Sequence, residues 1–152
     1  IPYIKNKSVT IVTNNGRSLF IDRDSNIDLV LIGGEVIGNT KIANAKMYTA
    51  GVLALEAIQK ISATKCILGV SGISVKGGLT SMAIQDPAVN QAMIQQCQGP
   101  VIVVADHRKV KIQHSFFFCS LSKISCLITD SESDAEELDN IRQNGVEVIT
   151  VD

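Results

Sequence analysis

The sequence has no tryptophan, and aromatics make up only 4% of its 152 residues. Charge is also sparse, at 19%, below the roughly 25% of an ordinary globular chain. What charge there is nearly cancels, 14 Lys plus Arg standing against 15 Asp plus Glu. A domain that grips nucleic acid unaided needs clustered cations for the phosphates, so this balance excludes that role for the chain by itself. No apolar run nears the ~20 residues that a membrane helix requires. A secretory leader, with its basic, apolar and small-residue succession, is not expected either. The length suits one domain, able to bury about two-thirds of its unfolded surface. A compact cytoplasmic domain without membrane contact is the expectation.

Two further absences narrow the chemistry. Neither G-x-G-x-x-G nor G-x-x-x-x-G-K-[ST] occurs, which disfavours a dinucleotide or nucleoside-triphosphate site. The four cysteines, Cys66, Cys97, Cys119 and Cys126, form no C-x-x-C pair, and only two histidines are available to complete a metal site with them. Cys66, Cys119 and Cys126 sit in apolar runs and read as small buried hydrophobes of strands. No metal, cofactor or disulfide is expected, and an intracellular origin fits this usage.

What is present is an alternation of β-branched runs with helical stretches. Strands are expected at Val9–Thr13, Ile27–Ile32, Cys66–Val70, Val101–Ala105, Ser115–Cys119, Cys126–Thr129 and Glu147–Val151. Several of these, such as Val101-Ile102-Val103-Val104, are apolar throughout, as in parallel sheets with both faces covered. A helix over Ala45–Ser62 would carry Tyr48, Val52, Leu55 and Ile58 on one stripe. A second would open with Asp86 as N-cap and Pro87 in its first turn, bury Val89, Met93 and Cys97, and stop at Gly99-Pro100. A third would open on a capping box at Ser133-Asp134-Ala135-Glu136 and end at Gly145. The alternation predicts an α/β fold with a mostly parallel, Rossmann-like sheet and helices on both faces. Ile1-Pro2-Tyr3-Ile4 leads into the first strand without a capped start, so the chain is expected to begin inside a domain.

In such sheets, ligands bind beyond the carboxyl ends of the strands, where amides are free. The segments at those ends are Thr13-Asn14-Asn15-Gly16, Gly33-Gly34-Glu35, Ser71-Gly72-Ile73 with Lys76-Gly77-Gly78-Leu79-Thr80, and Asp106-His107-Arg108-Lys109. Glycine permits close backbone approach, and Thr, Asn and Asp can bind hydroxyls. Ordinary turns favour the same residues. Taken together, however, the four ends predict one pocket. Arg108, Lys109 and Lys111 make the densest positive cluster. Arg108 and Lys111 read as a solvated face, whereas Lys109, three residues after Asp106, suits an anionic ligand such as a phosphate. Glu35 and Asp106 are the carboxylates from which an acid–base pair would be built. His107 and His114 have no Ser or Cys that the sequence places beside them, and no catalytic triad is expected.

Assembled in order, these segments resemble the C-terminal effector-sensing domain of DeoR-type bacterial transcriptional regulators. The resemblance runs from about Val9 to Val151. Its carriers are Val9–Asn14, Leu31–Glu35, Leu68–Ile73 with Gly78-Leu79-Thr80, Ala92-Met93-Ile94, Val104–Lys109 and Leu127–Asp130. That fold is shared with ribose-5-phosphate isomerase, glucosamine-6-phosphate deaminase and CoA-transferases. The resemblance implies a non-enzymatic sensor that binds a phosphorylated sugar or similar small anionic metabolite and modulates DNA binding by an attached helix-turn-helix. By position it implies an effector site of Thr13, Asn14, Asn15, Gly33, Gly34, Glu35, Gly72, Gly78, Thr80, Asp106 and Lys109.

The chain departs from the family pattern at three places. Asn15 stands where Ser is frequent, Asn90 where many members have Lys, and Arg108 where Ser is usual. The resemblance further implies that a helix-turn-helix, and a strand with a Gly-Thr-Thr-type loop, would precede this sequence. On that basis residues 1–152 are expected to be an N-terminally truncated sensor domain. A homo-oligomer, dimer or tetramer, is expected because readers of paired half-sites are symmetric. DNA would be reached only through the preceding domain. The alternative is an isomerase, deaminase or CoA-transferase-like enzyme of the same fold.

Overall fold

The structure, a computed structural model, describes residue 4 and residues 7–38, 46–84 and 86–152, with the backbone alone at Asp86. It falls into two compact units, Ile1–Lys60 and Ile61–Asp152.

In the first unit, β1 (Val9–Thr13) lies parallel to β2 (Ile27–Leu31), with Val9 opposite Ile27 and Thr13 opposite Leu31. A 3-10 turn over Gly16–Phe20 follows β1. Beyond β2 the chain forms β3 (Glu35–Gly38), which pairs antiparallel with β4 (Met47–Ala50) before α1 (Gly51–Ile58) begins. The helix expected from Ala45 to Ser62 is thus wrong in its first turns. Met47-Tyr48-Thr49-Ala50 is extended, and Ala45 lies outside the described residues. The physical reason is that the segment is paired with β3, Thr49 standing opposite Val36. Thr49 spends its own backbone on Asn14 rather than on a helix. Within α1, Ala54 and Ile58 are buried at i, i+4 spacing, while Val52 and Leu53 are exposed.

The second unit holds a four-stranded parallel sheet in the order β11-β10-β8-β5, built from β5 (Cys66–Gly69), β8 (Val101–Val104), β10 (Cys126–Asp130) and β11 (Glu147–Val151). Between β5 and β8 come β6 (Gly72–Ser74), β7 (Gly78–Ser81) and α2 (Asp86–Gln95). Between β8 and β10 comes β9 (Phe116–Cys119). β6, β7 and β9 form a separate antiparallel sheet, order β6-β7-β9. The Phe116-Phe117-Phe118 run therefore does not join the parallel sheet. Its alternation is that of an antiparallel strand, Phe118 being buried and Phe117 exposed.

Leu68, Val103 and Leu127 stand opposite one another in register on β5, β8 and β10, and all three are buried. They share a core with Ile73 and Leu79 of the small sheet, Ile94 of α2, and Leu138 and Ile141 of α3 (Ala135–Gln143). The opposite pleat of the sheet presents Ile67 of β5, Val104 of β8 and Ile149 of β11 to the exterior. Cys66, Cys119 and Cys126 are buried, as expected, and burial pushes the Cys66 thiol up to about 12. Val89 is buried and Met93 packs against the core, as the helical stripe predicted, but α2 ends at Gln95, and Cys97 packs against the core from a bridge to Ala63 rather than from the helix. The N-cap role expected of Asp86 falls outside what is described, since its side chain is not. α3 starts one residue later than its sequence suggests. Asp134 is the cap, its carboxylate accepting the Glu137 amide at 2.8 Å, while Ser133 is buried and hydrogen-bonded to Thr129 at 2.7 Å.

Candidate functional site

The expected site residues fall in both units, and those of each unit are taken by themselves. In the first unit, the end of β1 is a chain of local hydrogen bonds. Thr13 Oγ1 accepts from the Asn15 amide at 3.1 Å, and the Asn15 side chain caps the 3-10 turn by accepting from the Arg17 amide at 3.0 Å. Asn14 is clamped to β4 twice: its carbonyl accepts the Thr49 amide at 2.8 Å, and its Nδ2 donates to the Thr49 carbonyl at 2.9 Å. The Thr49 hydroxyl, in turn, donates to the Ile32 carbonyl at 2.6 Å. The Ile32 amide donates to the Thr13 carbonyl at 2.8 Å. Thr49, which the sequence did not single out, is therefore the pin that joins the ends of β1 and β2.

Gly33 and Gly34 follow Ile32 and are not equivalent. A Cβ on Gly33 would meet nothing within 4 Å. On Gly34, whose φ is +146°, it would lie 2.5 Å from the Ala50 carbonyl oxygen and 3.1 Å from Ala54 Cβ. Gly34 is glycine because β4 and α1 crowd its backbone. Glu35 opens β3 opposite Ala50, and its exposed carboxylate lies against Gly51 at the start of α1. Ala50 supplies no side-chain cap there. A carboxylate in this place suits the positive end of a helix.

In the second unit, Gly72 and Thr80 face each other across the β6–β7 pair. Thr80 is fully buried, and its hydroxyl is occupied: it donates to the Gly72 carbonyl at 3.3 Å and accepts from the His114 amide at 3.0 Å. Gly78, at φ +63°, leaves no room for a side chain against the Cys119 carbonyl. These three residues shape the turn.

The end of β8 is ionic. Asp106 caps a 3-10 turn over His107–Lys109, accepting the Arg108 amide at 3.1 Å. Its carboxylate is also gripped by the Arg108 guanidinium, Nη2 to Oδ2 at 2.9 Å and Nε to Oδ1 at 3.3 Å, and Lys109 Nζ stands 3.6 Å away. The Arg108 hydrogen bonds, followed by the charge of Lys109, hold Asp106 below the usual carboxylate range. Lys109 is thus oriented by Asp106, as the three-residue spacing suggested. Arg108 and Lys111, expected as a plain solvated face, are exposed but paired, Lys111 reaching Asp134 at 2.9 Å.

The neighbouring end of β10 holds this loop. Asp130 accepts the His107 amide at 2.9 Å and faces His107 Nδ1 at 3.0 Å, while Glu132 lies 3.5 Å from Nε2. The His107 amide is the main reason Asp130 is held below its ordinary range. Lys111 is the one non-glycine with positive φ, +66°, among the described residues. Sequence reading did not place Asp130 or Asp134 in the site, although Asp130 ends an apolar run before polar residues, which is the signal that marked Asp106. No group of three or more metal-ligating side chains occurs among the described residues.

Comparison with known proteins gives this geometry a family. The DeoR C terminal sensor domain matches residues 1–131. The chain belongs to that family. It is 30% identical over 145 residues to the HTH-type transcriptional repressor GlcR of Bacillus subtilis (strain 168), covering 94% of this chain and 53% of that protein. It is 26% identical over 145 residues to the HTH-type transcriptional regulator GlpR of Haloferax volcanii, covering 95% of this chain and 54% of that protein. The chain therefore spans about half the length of these relatives. No described helix is long and apolar enough to cross a membrane.

Proposed function

We propose that this sensor domain belongs to a transcriptional repressor, binds a phosphorylated sugar or a similar small anionic metabolite, and so modulates DNA binding by a helix-turn-helix elsewhere in the protein. The observation that carries the reading is the sensor-domain match over residues 1–131, together with relatives named as helix-turn-helix regulators. In this reading Lys109, with Arg108 beside it, receives the anion, and Asp106 holds the two cations in place. Glu35, the Gly33-Gly34 amides and the polar groups of Thr13, Asn14 and Asn15 take hydroxyls. Gly72, Gly78 and buried Thr80 set the shape of the turn. The finer architecture, a Rossmann-like sheet covered on both faces, belongs to the same reading, as do a cytoplasmic setting and a homo-oligomeric state.

The role is regulatory rather than enzymatic. What supports this is that the relatives are named as a transcriptional repressor and a transcriptional regulator. A thermal-shift screen of the full-length protein against sugar phosphates tests the proposal. At least one should raise the melting temperature and change affinity for operator DNA. Stabilisation by none of them, with DNA binding unaltered, rejects the sugar-phosphate reading. Turnover of ribose 5-phosphate that Asp106→Asn abolishes would establish an enzyme instead.

A further inference from the structure

We propose that Glu137 is a positioning residue of the effector site, and that the first turn of α3 is the base to which both site loops of the second unit are tied. The proposal rests on the reading above, in which Lys109 of the loop after β8 receives the anion and Gly72, Gly78 and Thr80 shape the β6–β7 turn. Glu137 is a carboxylate kept almost wholly from solvent, at 8% exposure. Its Oε1 accepts the amide of Val75, 62 residues earlier in the chain, at 2.7 Å. Val75 lies in the turn that leads through Lys76 and Gly77 to Gly78, and Ser74 Oγ closes that turn by accepting the Gly77 amide at 3.0 Å.

The same helical turn holds the second loop. Asp134, which caps α3, bonds Lys111 at 2.9 Å, and Glu136 lies 3.9 Å from the same ammonium. The Lys111 amide donates to the Ile73 carbonyl at 2.8 Å, joining this loop to β6. The links close a ring: α3 to the Val75 turn, the turn to β6, β6 to Lys111, and Lys111 back to α3. Lys111 sits in that ring with the left-handed backbone that a side chain rarely adopts, a conformation that persists only when its surroundings over-determine it. Packing alone does not account for Glu137. A leucine at this buried position would avoid the cost of burying a carboxylate. Its acceptor oxygen is what leucine lacks, and that oxygen fixes the Val75 amide. The sensor-domain match ends at residue 131, so this positioning comes from a segment beyond the matched region.

The test uses the full-length protein and its Glu137→Gln, Glu137→Leu and Asp134→Ser variants. Amide hydrogen exchange is read at Val75–Gly78 and Val110–Gln113. Calorimetry reads binding of glucose 6-phosphate, fructose 6-phosphate, ribose 5-phosphate and inorganic phosphate. Glu137→Leu should speed exchange at Val75 and weaken the sugar phosphate that binds the unaltered protein, each roughly tenfold, as for one lost hydrogen bond to a charged group. Glu137→Gln keeps an acceptor for the Val75 amide and should stay within about threefold on both readouts. Asp134→Ser keeps a helix cap but frees Lys111, so it should speed exchange at Val110–Gln113 and weaken binding even if Glu137→Leu does not fold. Faster exchange with unchanged affinity overturns the positioning role and leaves the effector reading intact. Glutamine as damaging as leucine overturns the role of the acceptor. Binding of none of the four probes by the unaltered protein overturns the effector reading and the proposal with it.

Discussion

At the end of β2 the chain turns on Gly33 and Gly34, whereas at the end of β8 it turns on Asp106, His107, Arg108 and Lys109. The first turn is specified by space: a Cβ on Gly34 would strike the Ala50 carbonyl. The second is specified by charge: Asp106 grips Arg108 and Lys109, and Asp130 grips His107. A steric specification is unforgiving at one residue and indifferent to salt and acid. An ionic one is shared among several exposed groups, each worth little, and responds to both. The difference teaches where each of these strand ends can tolerate change.

The largest effect should come from breaking the steric end. Gly34→Val should destabilise the chain by about 2–4 kcal/mol in urea unfolding, through backbone strain and the clash with β4. Gly33→Ala, in open space, should stay within about 0.5 kcal/mol. Equal losses at the two glycines would collapse the comparison. Gly78→Ala extends it to the second unit, where φ +63° and the Cys119 carbonyl should make the cost about 1–3 kcal/mol.

A smaller effect should appear with acid. Asp106, Asp130 and Asp134 are all held below the ordinary 3.8, by Arg108, by the His107 amide and by Lys111 respectively. Each favours its charged form in the folded state, so its contribution is present above about pH 4 and is lost as pH falls through the lower folded value. The urea midpoint should therefore drop below pH 4, and Asp130→Asn should flatten that drop. Gly33→Ala should leave the slope alone. The smallest effect is expected of Arg108→Ser. With an exposed side chain removed, the urea midpoint should hardly move. Carboxyl chemical shifts should nevertheless show Asp106 titrating closer to its ordinary range. An unchanged Asp106 titration would show that the guanidinium does not set it.

Most strands were legible because their β-branched runs are bounded by turn residues, as at Val101-Ile102-Val103-Val104 before Ala105-Asp106. Met47–Ala50 was not. Its residues serve a helical stripe as well as a strand, and the choice is made by Asn14 and Ile32, which the Thr49 backbone and hydroxyl reach from β4. Phe116-Phe117-Phe118 read as one more apolar strand, and local pattern cannot say that its partner is β7 in a different sheet. Among site residues, the pairing of Lys109 with Asp106 was visible because it is short-range. The parts played by Thr49, Asp130 and Glu137 were not, since their partners lie tens of residues away. A buried glutamate also looks, in sequence, like any charged residue of an exposed helical face. Only its place four residues before buried Ile141 hints otherwise.

By itself the sequence determined the α/β alternation, the near-neutral charge, and the ordered strand ends that mark the sensor-domain family. These are properties of composition and local pattern, written in residues close together in the chain. The tertiary structure decided which glycine is obligatory, which hydroxyls are spent on the fold, and which carboxylates bond groups from distant segments. Those depend on where a carbonyl or an amide from a distant segment comes to rest. Burial turns such a meeting into a requirement, because a polar group removed from water must find its partner inside the protein.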